Sequence, residues 1–182
     1  MKKIAQRVLS LLGWKIIEPP KGLPDKSVIC VAPHTSNHDF FLGKLYSWAT
    51  SYTSGFLMKK EWFFFPLGII LKAMGGIPID RSRRGSTVEE VKKFFKKPGS
   101  RHIAITPEGT RRLGEKWHTG FYYIATGANV PILLAVIDYK KKGIGVFEIF
   151  YPTGDLEADI DYIRSKYNRS QAKFPEKFYE KK

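Results

Sequence analysis

The 182-residue sequence predicts an α/β fold: one domain, a mixed and largely parallel sheet flanked by helices, and an amphipathic helix in front of it. Three observations lead there. Short apolar runs alternate with stretches of helical periodicity along the whole chain. No internal repeat and no shift in composition divides it. At 43% hydrophobic and 14% aromatic residues, the chain has enough apolar side chain for one substantial core, and the composition excludes a disordered protein.

Residues 1–16 are expected to be the amphipathic helix. Ile4, Val8, Leu11 and Leu12 form its apolar stripe, Lys2, Lys3, Gln6 and Arg7 cover the other side, and Gly13-Trp14 closes it. The stripe has two uses, packing on the domain or lying in a lipid boundary with the lysines on acidic headgroups. The breaker-rich stretch 18–24 leads into a strand, Ser27-Val28-Ile29-Cys30-Val31-Ala32, and the polar turn after it restarts as a helix carrying Phe40, Leu42, Leu45, Tyr46 and Ala49. Phe56-Leu57-Met58 is a short strand, and the apolar run from Trp62 to Leu71 reads first as a core helix. Its aromatic density beside Lys59 and Lys60 also suits a surface that meets an acyl chain or a bilayer.

Residues 76–81 read as a strand delivering Asp80 and Arg81 to its end. The helix expected from Ser82 to Lys97 has Glu89 and Glu90 early and Lys92, Lys93, Lys96 and Lys97 late, the charge order that the helix dipole favours. His102 to Thr106 is a strand running into Pro107-Glu108-Gly109-Thr110-Arg111-Arg112. A helix over Thr119 to Thr126 stopped by Gly127, strands over 129–137 and 146–150, and an amphipathic helix from Asp155 to Tyr167 complete the order. The charged tail to Lys182 is expected to fray.

Net charge is +14, so the surface should attract anions: phosphorylated metabolites, acidic lipid or nucleic acid. Between Arg81 and Lys116, eleven Lys and Arg stand against four Glu, yet no recognised nucleic-acid motif accompanies them. A single cysteine, Cys30, excludes a disulfide framework within the chain and fits a reducing compartment. No stretch approaches the roughly 20 apolar residues of a spanning helix. Gln6, Arg7 and Ser10 interrupt any signal-peptide core, so a cytoplasmic location, free or on a membrane surface, is expected.

Chemistry concentrates at strand ends. The turn Pro33-His34-Thr35-Ser36-Asn37-His38-Asp39 must curl if Asp39 is to reach His34, since five residues do not make helix-face neighbours. A carboxylate that fixes one imidazole nitrogen leaves the other as a general base. His38 is an alternative base, Ser36 and Cys30 are alternative nucleophiles, and His34 with His38 has the spacing of a zinc pair but lacks its glutamate and a third ligand. The ends at Asp80-Arg81 and Glu108-Gly109-Thr110-Arg111 could share one cleft with the His turn if the strands run in parallel. Arg81 and Arg111 offer planar cationic forks for phosphate, and Gly109 permits close backbone approach.

Taken together, these blocks resemble the glycerolipid acyltransferases of the lysophosphatidic acid acyltransferase type. His34-Thr35-Ser36-Asn37-His38-Asp39 is similar to their H-x-S-x-x-D block, Gly76-Ile77-Pro78-Ile79-Asp80-Arg81 to the second, Pro107-Glu108-Gly109-Thr110-Arg111 to the third, and Val130-Pro131-Ile132 to the fourth. Order and spacing agree over residues 27–140, although Pro33 stands where many relatives carry asparagine.

The resemblance implies transfer of a fatty acyl group from a coenzyme A or acyl-carrier-protein thioester, a co-substrate and not a cofactor, to a hydroxyl of a lysophospholipid-like acceptor. Attack is direct, with His34 as base and Asp39 as its partner. Arg81, Glu108, Gly109, Thr110 and Arg111, with Gly76 and Lys116, are implied to bind substrate, with no metal. An anionic membrane surface is the expected partner, and nucleic acid is not. A basic binding module without catalysis is the alternative.

Overall fold

The computed structural model describes residues 1–50, 52–80 and 86–180. Seven strands, β1 (Lys15–Ile16), β2 (Lys26–Val31), β3 (Ser54–Lys59), β4 (Gly76–Ile79), β5 (Arg101–Ile105), β6 (Ile132–Asp138) and β7 (Gly143–Phe150), form one sheet in the order β1-β7-β6-β2-β5-β3-β4. Every pair is parallel except β6 with β7, which close as a hairpin over residues 139–142. The central strands are apolar on both sides, as a sheet covered on both faces requires: all seven residues of β6 are buried.

Alternation along the strands sorts two cores. Val28, Cys30, Ile103, Ile132 and Leu134 meet α4 (Ser86–Lys96), α5 (Gly120–Ala128) and α6 (Leu156–Ser165) through Val91, Phe121, Ile124 and Ile163. On the opposite face Ile137 and Ile144 pack with Leu42 and Ala49 of α2 (His38–Thr50) and with Ala5 and Leu9 of α1 (Lys2–Leu11). Right-handed crossovers put α3 (Leu67–Ala73) beside α2, because β2, β3 and β4 step across the sheet in one direction. The Lys44 ammonium donates to the Met74 carbonyl at 2.6 Å and ties the two.

Four expectations are corrected. The first helix ends at Leu11, not residue 16: Gly13 turns the chain at φ +77°, and residues 15–16 become an edge strand on β7. Ala5 and Leu9 form the packing seam of α1, while Leu11, from the expected stripe, is 87% exposed. The run from Trp62 to Leu71 is not a core helix, because α3 begins only at Leu67 and buries only Gly68, leaving Phe65 83% exposed and Ile69 62% exposed. Sequence periodicity cannot separate an apolar face that meets a core from one that meets something else.

The tail, through residue 180, does not fray either. Residues 169–171 and 175–177 form single 3-10 turns, with Asn168 and Gln171 closing a reciprocal capping box. Ala172 and Phe178 are buried, and the segment crosses the sheet edge where the parallel strands end. Gln171 accepts from the Tyr139 N–H at 2.9 Å, and the Phe174 N–H donates to Thr35 Oγ1 at 3.2 Å. Two apolar anchors among many charges were enough to fix it. The helix expected from residue 82 is described from Ser86 to Lys96, and α5 runs through Gly127 to a left-handed cap at Asn129.

Candidate active site

The His turn leaves the carboxyl end of β2, buried through Ala32 and Pro33, and curls into α2. Asp39 lies in the first helical turn, where the backbone dipole favours a negative charge. Its Oδ2 accepts from His34 Nδ1 and from the N–H groups of Thr35 and Ser36, each at 3.0 Å, and its Oδ1 accepts from the Tyr139 hydroxyl at 2.6 Å. Burial alone would raise this carboxyl; the bonds from His34, Tyr139 and Ser36 outweigh it and hold Asp39 below its ordinary range. An ionised Asp39 assigns the proton to Nδ1 of His34 and leaves Nε2 as the basic nitrogen. The His34 side chain is 18% exposed, enough to meet a substrate.

Glu108 comes from the loop after β5 and turns inward. Its Oε1 accepts the His34 backbone N–H at 2.8 Å, clamping the base from behind, while Oε2 is buried without a protein partner. Burial pushes this carboxyl up to about 7 against the opposing pull of those bonds. The placement gives Glu108 a role in holding the His turn. An acid raised in the fold holds its proton there more tightly than in the unfolded chain, so the fold loses stability as pH rises from the ordinary value of 4.5 through 7. Glu108→Gln is expected to remove that loss. Measured by urea unfolding, its stability relative to the native chain should rise by about 3 kcal/mol between pH 4 and pH 8, and a constant difference would mean that Glu108 titrates alike in the folded and unfolded chain.

Gly109 has φ +63°, and a Cβ there would stand 2.5 Å from His118 Cδ2, so the loop tolerates no side chain at this point. Arg111 Nη1 donates to Asn37 Oδ1, joining the third block to the first, and Thr110 Oγ1 accepts from the Arg112 N–H at 3.2 Å. Asp80 ends β4 in an ion pair with Lys60 at 2.6 Å. Arg81 lies outside the described residues. Gly76 sits at the opposite end of β4, against Leu71, and Lys116 lines neither cavity at His34, so the structure brings neither to the site.

Two cavities meet at the imidazole. One, of about 330 Å³, runs beneath α2 between apolar walls that include Ile29, Val31, Phe40, Phe56 and Ala135, and it reaches Tyr52 and Ser54 at the far edge of the sheet. From Asp39 to Ser47 that helix alone spans about 12 Å. The other, of about 430 Å³, is lined by Thr110, Arg111, Arg112 and Lys177. His34, Thr106 and Gly109 belong to both.

The alternative groups have other tasks. Cys30 is fully buried and burial pushes its thiol well above the ordinary value, which disfavours the reactive thiolate. Ser36 Oγ is occupied by the ring and N–H of His38. His102 is buried among Ser27, Tyr52 and Ser100, and burial lowers its pKa to about 4, keeping it neutral. Three residues near the dyad had no signal in the sequence: Tyr139, Thr35 as the tail's anchor, and Lys177. Tyr139 is 100 residues from Asp39 and is steadied edge-on by Trp14 at 5.1 Å.

The acyltransferase family model matches residues 16–138. A comparison with curated proteins finds no match. Among solved structures, the crystal structure of the 1-acyl-sn-glycerophosphate (LPA) acyltransferase PlsC from Thermotoga maritima superposes with a TM-score of 0.59 at 21% identity, covering 91% of this chain and 74% of that one. At that identity the likeness is one of fold.

Proposed function

Since this chain belongs to the acyltransferase family, we propose that it moves a fatty acyl group from acyl-CoA or acyl-carrier-protein to the hydroxyl of a lysophospholipid-like acceptor such as 1-acylglycerol-3-phosphate. The observation that carries this reading is the position of His34 where an apolar cavity and a basic cavity join. The first suits an acyl chain and the second an anionic headgroup, and the reacting atoms would meet between them. Nε2 of His34 takes the proton of the acceptor hydroxyl as its oxygen bonds to the thioester carbonyl carbon. The tetrahedral centre collapses, the C–S bond breaks, and the imidazolium returns the proton to the leaving thiolate. Asp39 stabilises the transient cation, and Arg111, Thr110 and Gly109 contribute to the acceptor site.

Incubating the purified protein with labelled acyl-CoA and acyl-carrier-protein and a panel of lysolipids tests the reading. Ester formation with release of free thiol is expected, and its absence from every pair would refute it. A binding module without catalysis would retain its affinity for anionic lipid in His34→Lys, whereas the acyltransferase loses turnover.

The reading includes a peripheral position on the cytoplasmic face of an anionic membrane. No helix among the described residues is long and apolar enough to cross one. Support comes from α1, α2 and α3 on one side of the sheet and the loop before α3, which expose Ile4, Leu11, Phe41, Ile69 and Phe65 together with Lys2, Lys3 and Lys72, α2 forming a wall of the apolar cavity. The double variant Leu11→Ser/Phe65→Ser should lower partitioning onto anionic vesicles by at least about tenfold, as side chains of this size each contribute roughly 1.5–3 kcal/mol. Unchanged co-sedimentation would remove this face from the proposal.

A further inference from the structure

The basic cavity has a wall that lies beyond the family match. Lys177 lines it together with His34, Thr110, Arg111 and Arg112, yet it comes from the chain's last turn, far past residue 138. Its position is built. The segment is pinned on the His turn by the Phe174 N–H to Thr35 Oγ1, held on β6's end by Tyr139 and Gln171, and anchored below by buried Phe178. The Lys177 N–H donates to the Phe174 carbonyl at 3.0 Å, and its ammonium stands 4.3 Å from the centre of the Phe174 ring, which limits its freedom without neutralising it. Arg111, by contrast, already gives one nitrogen to Asn37.

We infer that Lys177 is a headgroup-binding residue: carried by the C-terminal segment to the wall of the basic cavity, it contacts the phosphate monoester of the acceptor and selects for acceptors that bear one. This rests on the acyl-transfer reading. A phosphate monoester carries about −1.5 to −2 charges and three acceptor oxygens at neutral pH, so it can engage Lys177 from the C-terminal segment as well as Arg111 and Arg112 from the loop after β5. Lysine adds a point charge that follows the oxygens without demanding the planar geometry of an arginine fork. Lys173, whose ammonium is 5.7 Å from the same ring but which does not line the cavity, is the natural control.

Two measurements test this on the full chain. In the first, kcat/KM is compared between 1-acylglycerol-3-phosphate and unphosphorylated monoacylglycerol. Lys177→Ala should lower the preference for the phosphorylated acceptor about tenfold, the usual size of a charge-assisted contact, Lys177→Arg should restore most of it, and Lys173→Ala should not change it. An unaltered preference in Lys177→Ala, or an equal change in Lys173→Ala, would overturn the inference.

In the second, glycerol 3-phosphate is titrated calorimetrically into the native chain, His34→Ala and Lys177→Ala. Binding that survives the loss of the base but weakens about tenfold without the lysine supports the headgroup site. Binding that is absent from the native chain, or equal in all three, overturns it. The assignment of His34 as base is decided separately, by turnover in His34→Ala, so the two ideas fail independently.

Discussion

His34→Ala is expected to lower kcat by roughly two to four orders of magnitude, the range over which a positioned general base acts, with the KM for the thioester little changed. The reason is geometric. Among the described residues only one imidazole nitrogen is free at the junction of the two cavities, since Nδ1 is committed to Asp39 and His38 is held by Ser36. No second imidazole among them can take over the proton. Steady-state assays following thioester consumption in the presence of acceptor measure the effect, and turnover within tenfold of the native rate would reassign the base.

Asp39→Asn should cost about two to three orders of magnitude in kcat while leaving the fold intact, and Asp39→Ala should do both kinds of damage. An asparagine can turn its carbonyl oxygen toward the three donors that converge on Oδ2, and the Tyr139 hydroxyl can accept from its amide. What it cannot supply is the negative charge that steadies the imidazolium. Alanine removes the acceptor altogether and strands four donors, three in the buried turn and the Tyr139 hydroxyl, a loss of about 2–4 kcal/mol on urea unfolding. If asparagine and alanine unfold alike and lose activity alike, the carboxylate serves structure first. If asparagine keeps full turnover, its charge plays no part in the reaction.

Much of the site was legible because local spacing sets it. A polar turn between an apolar strand and an apolar helix had to bend Asp39 back to His34, and the glycine after Glu108 was read as a place of close approach, which in the structure is filled by the His118 ring. The parallel sheet edge that gathers the first and third blocks followed from alternating strands and helices. What escaped is set by strand order and distance in sequence. Tyr139 reaches Asp39 because β6 lies next to β2, and Lys177 reaches the basic cavity because Ala172 and Phe178 anchor the tail across that edge. The residues 62–71 were misjudged for a different reason, since an aromatic run has the same pattern whether it is buried in protein or exposed to lipid.

The two outermost strands have a consequence for self-association. β1 caps the hairpin's free side with two residues, and the other border, β4, is only four residues long and includes Pro78. Neither offers a long ladder of open amides onto which a second molecule could add a strand. A chain whose exposed aromatic face invites clumping is therefore guarded where fibrils start, and any clusters formed without lipid should dissolve in mild detergent.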